Sequence, residues 1–260
     1  MIKTLSFLFC FLSSFVLSGC SPNDPTQVTH SDTTTAIIDN SNALDIAIQV
    51  YRIAAIDVPF TASEAMDNQG NINNKACTNP DAISGGSMPG MGSMPQRGMP
   101  MFFDNCQLVN TNASGHTLIV DGECNNTADS TSRETVTGEQ IRFTVPPDAG
   151  AQHSLALHGF SITRDNDNMT KASGSLHMAN GDVVSFHTTT DFSGTAQNPT
   201  AGSMVISGAN NTSLRLSMST TTVGVFNLDV DSNGDGDYQD ANESLFSSAN
   251  WVNAFWSAIP

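Results

Sequence analysis

Carboxylates and carboxamides at alternate positions suit a hard cation, and Asp231-Ser232-Asn233-Gly234-Asp235-Gly236-Asp237-Tyr238 supplies them. Such an ion takes about six to eight oxygens, and a glycine lets the chain turn sharply enough for the ligands to converge. Counting from Asp231 puts Asn233 third, Asp235 fifth, Gly236 sixth and Asp237 seventh, where a backbone carbonyl ligates. Tyr238 then takes the apolar eighth place. The closing acid comes late in this count, since Asn242 is twelfth and Glu243 thirteenth. Counting from Asp229 makes Gly234 sixth and Asp240 twelfth, but puts Gly236 where an apolar residue belongs. The Asp231 count is preferred, with Glu243 or Asp240 closing the site. So many carboxylates repel one another unless a cation sits among them, so calcium is the expected ion. Its role is structural: the loop holds no nucleophile, and it pins the turn between the last strand and the Trp251–Trp256 segment.

A softer chemistry is offered by Met88-Pro89-Gly90-Met91-Gly92-Ser93-Met94-Pro95-Gln96-Arg97-Gly98-Met99-Pro100-Met101. Thioether sulfur selects Cu(I), and an oxidising compartment spares a thioether site more than a thiolate one. The spacing of Met88, Met91 and Met94, with Met99 and Met101 beyond, resembles the methionine motifs of copper-handling exported proteins. The competing reading is a low-complexity loop in which Met is an adaptable apolar residue. His116, His153, His158, His177 and His187 show no metal-ligand spacing. Catalytic signatures are missing too: there is no G-x-S-x-G elbow, no H-E-x-x-H and no phosphate-cradling glycine loop. A non-enzymatic protein is expected.

The elements that must position these residues are mostly strands. Ala43, Ile46, Ala47, Val50, Tyr51 and Ala54 form one helical stripe, with Asn40, Ser41 and Asn42 as candidate N-caps and Pro59 beyond its end. From His116 onward short strands follow one another: Thr117–Val120, Gln140–Val145, Ser154–Arg164, Ala172–Met178 and Val183–Thr189. Ser203–Ser207, Ser213–Met218 and Val223–Val230 complete the series. Asn180-Gly181 signals a type I′ hairpin, and Asp165–Asn168 and Gly208–Asn211 signal two further turns. Many strands with short links predict a mainly β protein, an antiparallel meander closing as a barrel, curling as a half-barrel or folding as a sandwich, with one N-terminal helix. One β-rich domain is expected over residues 41–260, with a Met/Gly/Pro-rich loop at about 84–101.

The N-terminus sets the address. Lys3, the apolar run Leu5–Leu17 and the sequence Leu17-Ser18-Gly19-Cys20 resemble the lipobox of bacterial lipoprotein precursors. The resemblance implies that residues 1–19 are removed, that the Cys20 thiol carries diacylglycerol, and that its amine is acylated. Residues 20–40, rich in Pro, Asp, Ser and Thr, then form a flexible tether. Loss of Lys3 leaves eight basic against 25 acidic residues, a formal charge of −17. That charge repels nucleic acid and anionic headgroups, so membrane attachment must come through the Cys20 lipid. Ser21 in place of an Asp favours, by the same resemblance, the outer membrane.

Cys77, Cys106 and Cys124 remain in the mature chain, and an oxidising address favours one bridge. Cys77–Cys106 is preferred because it clips the long loop between them, for roughly 3 to 4 kcal/mol on the chain-entropy account. Cys106–Cys124 is the alternative. The stretches Cys77…Gly85-Gly86-Ser87…Phe103-Asp104-Asn105-Cys106, Pro199–Asn210, Leu214-Arg215-Leu216 and Asp229–Asp237 are similar to poorly characterised exported proteobacterial proteins. The resemblance implies an all-β body with one disulfide, and no activity. Cys124 and the Met-rich insert depart from its pattern.

The expected function is a non-catalytic, lipid-anchored envelope protein with a calcium-braced β module. The alternative is a Cu(I) binder using the Met-rich loop. Cys20→Ala should leave an uncleaved or soluble form, and wild-type protein should incorporate labelled fatty acid. Maturation without label would overturn the lipobox reading.

Overall fold

Apolar residues two apart on strand after strand line up across neighbours, and that register builds the body of the protein. In the computed structural model the described residues are 34–55, 83–85, 100–108, 118–128, 133–145, 153–165, 168–194, 199–218, 225–240, 243 and 246–248. The chain divides into Met1–Ser31 and Asp32–Pro260, and all described residues belong to the second unit. Their elements are β1 (Thr34–Thr35), α1 (Ala43–Ala55), β2 (Ile83–Gly85), β3 (Pro100–Leu108), β4 (Leu118–Ala128) and β5 (Arg133–Val145). Then come β6 (His153–Asp165), β7 (Asn168–His177), β8 (Asp182–Gly194), β9 (Pro199–Ser207), β10 (Ser213–Met218), β11 (Phe226–Asp231) and β12 (Phe246–Ser248). Strands β2 to β12 pair in chain order as one antiparallel meander, and β1 lies parallel to β8. The sheet is open, so of the three predicted arrangements neither the closed barrel nor the sandwich is seen among the described residues.

Two rows show how one face becomes the core. Ile141, Leu157, Leu176 and Val184 are successive partners across β5 to β8. Phe186, Ile206, Leu214 and Val230 continue across β8 to β11. All eight are buried in one cluster that also contains α1. Each such side chain is worth about 1.5–3 kcal/mol when removed from water. The opposite face is hydroxyl-rich, with Thr135 bonded to Thr163 across β5–β6 at 3.0 Å and Thr189 to Ser203 across β8–β9 at 2.7 Å.

The helix begins where expected. Asn42 accepts the Ile46 N–H on its carbonyl, and its side chain ties back to Asp39 N and Ile37 O. The Asp39 carboxylate takes hydrogen bonds from the Ser41 hydroxyl and amide, which hold its pKa below the usual value. All six residues of the predicted stripe are buried, but so are Ile48 and Ile53. A helix apolar over so much of its circumference has to be enclosed, not laid on a flat surface. It packs against β7, β10 and β11. The Tyr51 ring meets Phe192 of β8 edge-on at 5.5 Å and Phe226 of β11 at 5.2 Å. Three strand spacings would separate β8 from β11 by about 14 Å in a flat sheet. One tyrosine touching both fits a sheet that curls toward the helix.

Bulges and glycines allow the curl. Register shifts interrupt β3–β4, β4–β5, β6–β7 and β8–β9. Phe160 lies across Gly138 of β5, its paired residue, where a Cβ would stand 2.7 Å from the ring, and beside Gly174 of β7. Phe192 covers Gly202 of β9 in the same way. Strands poor in side chains are thus completed by an aromatic from the next strand.

Several sequence-based boundaries shift. β5 begins at Arg133, seven residues before the predicted Gln140, because Gly138 hid a continuous strand whose missing side chain Phe160 replaces. Ser84, Gly85, Pro100 and Met101, placed in the Met-rich loop, belong to β2 and β3. Residues 34–40, placed at the end of the expected tether, are among the described residues, and residues 34–38 belong to the body. Ala36 and Ile38 are buried there, a period-two signal too short to weigh from sequence. The Asn180-Gly181 hairpin forms, but not as type I′. Only Gly181 has a positive φ (89°), and its N–H returns to Met178 O, which makes a type I-like turn closed by a left-handed glycine.

Cys106 is disulfide-bonded, its partner lying outside the described residues, and Cys124 is a buried free thiol, which overturns the Cys106–Cys124 alternative. Both point into the core, and Cys124 pairs with Met101. Cys106 pairs with Val120, so the two cysteines are not opposite one another.

Two outcomes are expected. Gly138→Ala should cost about 1–3 kcal/mol by overpacking against Phe160 and the carbonyl oxygen of Glu123, of which Phe160→Leu can relieve only the first. Adding Phe160→Leu should then cost less than the sum of the single changes, because the pair is in contact. Additive values in a urea-unfolding cycle would refute the packing account. Burial, with a contribution from the Glu123 charge, pushes the Cys124 thiol from 9.0 up to about 12. Its peptide should resist alkylation in native protein at pH 8 and react in denaturant. An unfolded thiol ionises first, so this group's contribution to stability is intact below pH 9 and is lost as pH rises toward 12.

Candidate metal centre

The acidic loop starts inside the sheet. Asp229, Val230 and Asp231 at the end of β11 are all buried, and Asp231 pairs with Ser213 at the start of β10. The chain then turns through Gly234 (φ 77°) and Gly236 (φ 92°), left-handed conformations that favour glycine. Asp231 organises the turn: its Oδ1 accepts Gly234 N at 2.6 Å and its Oδ2 accepts Gly236 N at 2.9 Å. Further on, each acidic or amide side chain accepts the N–H two residues ahead. Asn233 takes Asp235 N, Asp235 takes Asp237 N, and Asp237 takes Gln239 N, at 2.8 to 3.0 Å.

Glu243 N donates to Asp240 O at 2.9 Å, which keeps Glu243 against the loop. The Glu243 carboxylate accepts Ser232 N and Asp240 N, both at 3.2 Å. Oxygens of Asp231, Asp235 and Glu243 thereby come within 4.8 Å of one another. Asp231 is 1% exposed and Glu243 5%, while Asp235 faces solvent. Among the described residues this is the one group of three or more such ligand types close enough to share an ion. The three carboxylates take their hydrogen bonds from amides, and no cationic side chain pairs with any of them among the described residues.

The structure therefore gathers three of the six predicted ligands. Asn233 borders them, its Nδ2 donating to Asp235 at 3.1 Å and Asp240 at 2.9 Å. Asp240 is engaged by Asn233 and Asp237 by Gln239, both at the exposed rim. Of the two closing acids offered by the sequence, Glu243 joins the group. Asp229, first ligand of the other count, is turned away: Arg215 of β10 takes it through Nε at 2.9 Å and through Nη2. The Arg215 guanidinium also lies over the Tyr238 ring at 4.6 Å, and the Tyr238 hydroxyl bonds Ser213 at 2.8 Å. This bracket anchors the loop to β10. Sequence reasoning had assigned Tyr238 only an apolar place, and it missed Arg215. An arginine facing an aspartate across a strand pair is the signal that could have found it.

Of the soft-metal candidates, Met101 is a buried core residue of β3, and Met88, Met91, Met94 and Met99 lie outside the described residues. Cys20 and Cys77 also lie outside them. His158 and His177 stack at 3.9 Å on β6 and β7 without a third ligand type near them among the described residues. Comparison with protein-family models, with curated proteins and with solved structures finds no match to this chain.

Proposed function

We propose that this protein is a non-catalytic, lipid-anchored envelope lipoprotein whose β body is braced by calcium. One observation carries the metal part: two buried carboxylates, Asp231 and Glu243, face Asp235 within 4.8 Å, and no cationic side chain among the described residues pairs with them. Like charges held so close in a partly desolvated place repel, and a dication offsets the repulsion. All the candidate ligands are hard oxygens, which suit calcium better than Cu(I). Asn233, Asp237 and Asp240 at the rim supply further oxygens for an ion that takes about six to eight. The ion would fix the end of β11 and the return of the chain to Glu243.

The anchor rests on the lipobox Leu17–Cys20, and the outer-membrane address on Ser21. A mature charge of −17 fits attachment by lipid and not by headgroup attraction. Cys77 is the proposed partner of Cys106, which suits an oxidising compartment. The role is structural or partner-binding. The open, hydroxyl-rich outer face offers area for a partner, and no catalytic motif accompanies it.

Calcium should raise the melting temperature with concentration, following RT ln(1 + [L]/Kd). Asp231→Ala together with Asp235→Ala should abolish most of that rise and leave acylation at Cys20 intact. Melting curves indifferent to both calcium and chelator would sink the metal reading.

A further inference from the structure

Three segments remote in sequence meet at one end of the sheet. The strap of residues 34–38 runs beside β8, with Ala36 N donating to Val183 O at 3.0 Å. It also lies on the turn 208–212 between β9 and β10. Ala209 N donates to Ala36 O at 2.6 Å, and Ile38 N donates to the Thr212 hydroxyl at 3.0 Å. Thr212 is buried, and its hydroxyl passes the bond on to Ala209 O at 2.7 Å. Gly208 makes room for the strap, since a Cβ there would strike Ala36 O and stand 2.8 Å from Ile38 Cγ1.

The other side of the same turn meets the acidic loop. A Cβ on Gly234 would run into the carbonyl oxygen of Asn210, and Gly234 is held in that place by Asp231. Between strap and loop, Asn210 (φ 56°, ψ 30°) and Asn211 (φ 61°) are consecutive non-glycine residues in left-handed conformation. Such a conformation persists where neighbours over-determine it. Here the strap holds the flanking residues 208, 209 and 212, and the loop lies against Asn210 and Asn211 themselves.

We propose that this turn couples the two, so that a divalent cation on Asp231, Asp235 and Glu243 holds residues 34–38 against the sheet and its loss lets them lift. The inference rests on the calcium reading of the loop and adds a consequence for the N-terminal segment. The strap is where the lipid-bearing part of the chain joins the body. Cation level would then set how much chain lies free between membrane and sheet. Coupling of this kind is reciprocal: whatever the ion contributes to strap docking, docking contributes to ion affinity.

The test is amide hydrogen exchange on the full-length protein from the membrane fraction, in calcium and in chelator, with calorimetry for calcium binding. Exchange at Ala36 and Ile38 should slow by on the order of tenfold with calcium, and amides of β5 and β6 should slow less. Thr212→Val removes the acceptor for Ile38 N without touching a proposed ligand, and should weaken calcium binding by roughly fivefold. Calcium binding with unchanged strap exchange overturns the coupling alone. Equal slowing throughout the sheet reflects general stabilisation and also overturns it. No calcium binding overturns this inference and the calcium reading together.

Discussion

Everything in this molecule depends on a wide antiparallel sheet hiding one face. Rows of Ile, Leu, Val and Phe extend from β3 to β11, and a flat sheet of that width would leave much of that face wet. The solution is curvature around a helix that is apolar on most of its surface. Tyr51, held between Phe192 and Phe226, marks the centre of that arrangement. Its own phenol is so enclosed that burial pushes its pKa well up.

Curvature in turn needs places where strands can bend without losing their core. Gly138, Gly174 and Gly202 give up side chains, and Phe160 and Phe192 restore the lost contact from the neighbouring strand. Bulges in β3–β4, β4–β5 and β6–β7 re-aim the inward residues after each bend. Cys106 is an example: after the bulge at Asn105 (φ 53°) it returns to the buried face.

The open sheet leaves its strand ends to be finished by other means. At one end the strap, the turn 208–212 and the acidic loop lean on one another, and buried acids sit where strands run out. The two acids there are treated differently. Asp229 is neutralised by Arg215, a pair shielded further by Tyr238, while Asp231 is hydrogen-bonded by backbone amides, lies close to two other carboxylates and has no cationic partner among the described residues. One β-strand therefore holds both a satisfied and a charge-deficient carboxylate, two residues apart. That contrast is why the proposed cation is assigned to Asp231 and not to Asp229.

Local patterns were legible in the sequence. The helical stripe from Ala43 to Ala54, most strands beyond His116 and the position of the Asn180-Gly181 hairpin follow from periods of 3.6 and 2 and from turn chemistry, all of which act over a few residues. The Asp231 count was legible as well, because alternating oxygens around a glycine are a local signal. What tertiary structure alone decided involves distant partners. Whether the meander curls or closes depends on Phe160 meeting Gly138 and on Tyr51 reaching β8 and β11. Glu243 joins Asp231 and Asp235 because its carboxylate accepts Ser232 N and Asp240 N, which the number of intervening residues does not reveal. Residues 34–38, expected within a tether, lie on the body because Ile38 finds its hydrogen-bond acceptor 174 positions away, at Thr212. A contact at that separation has no local signature, since the energy that forms it belongs to two segments that the sequence keeps apart.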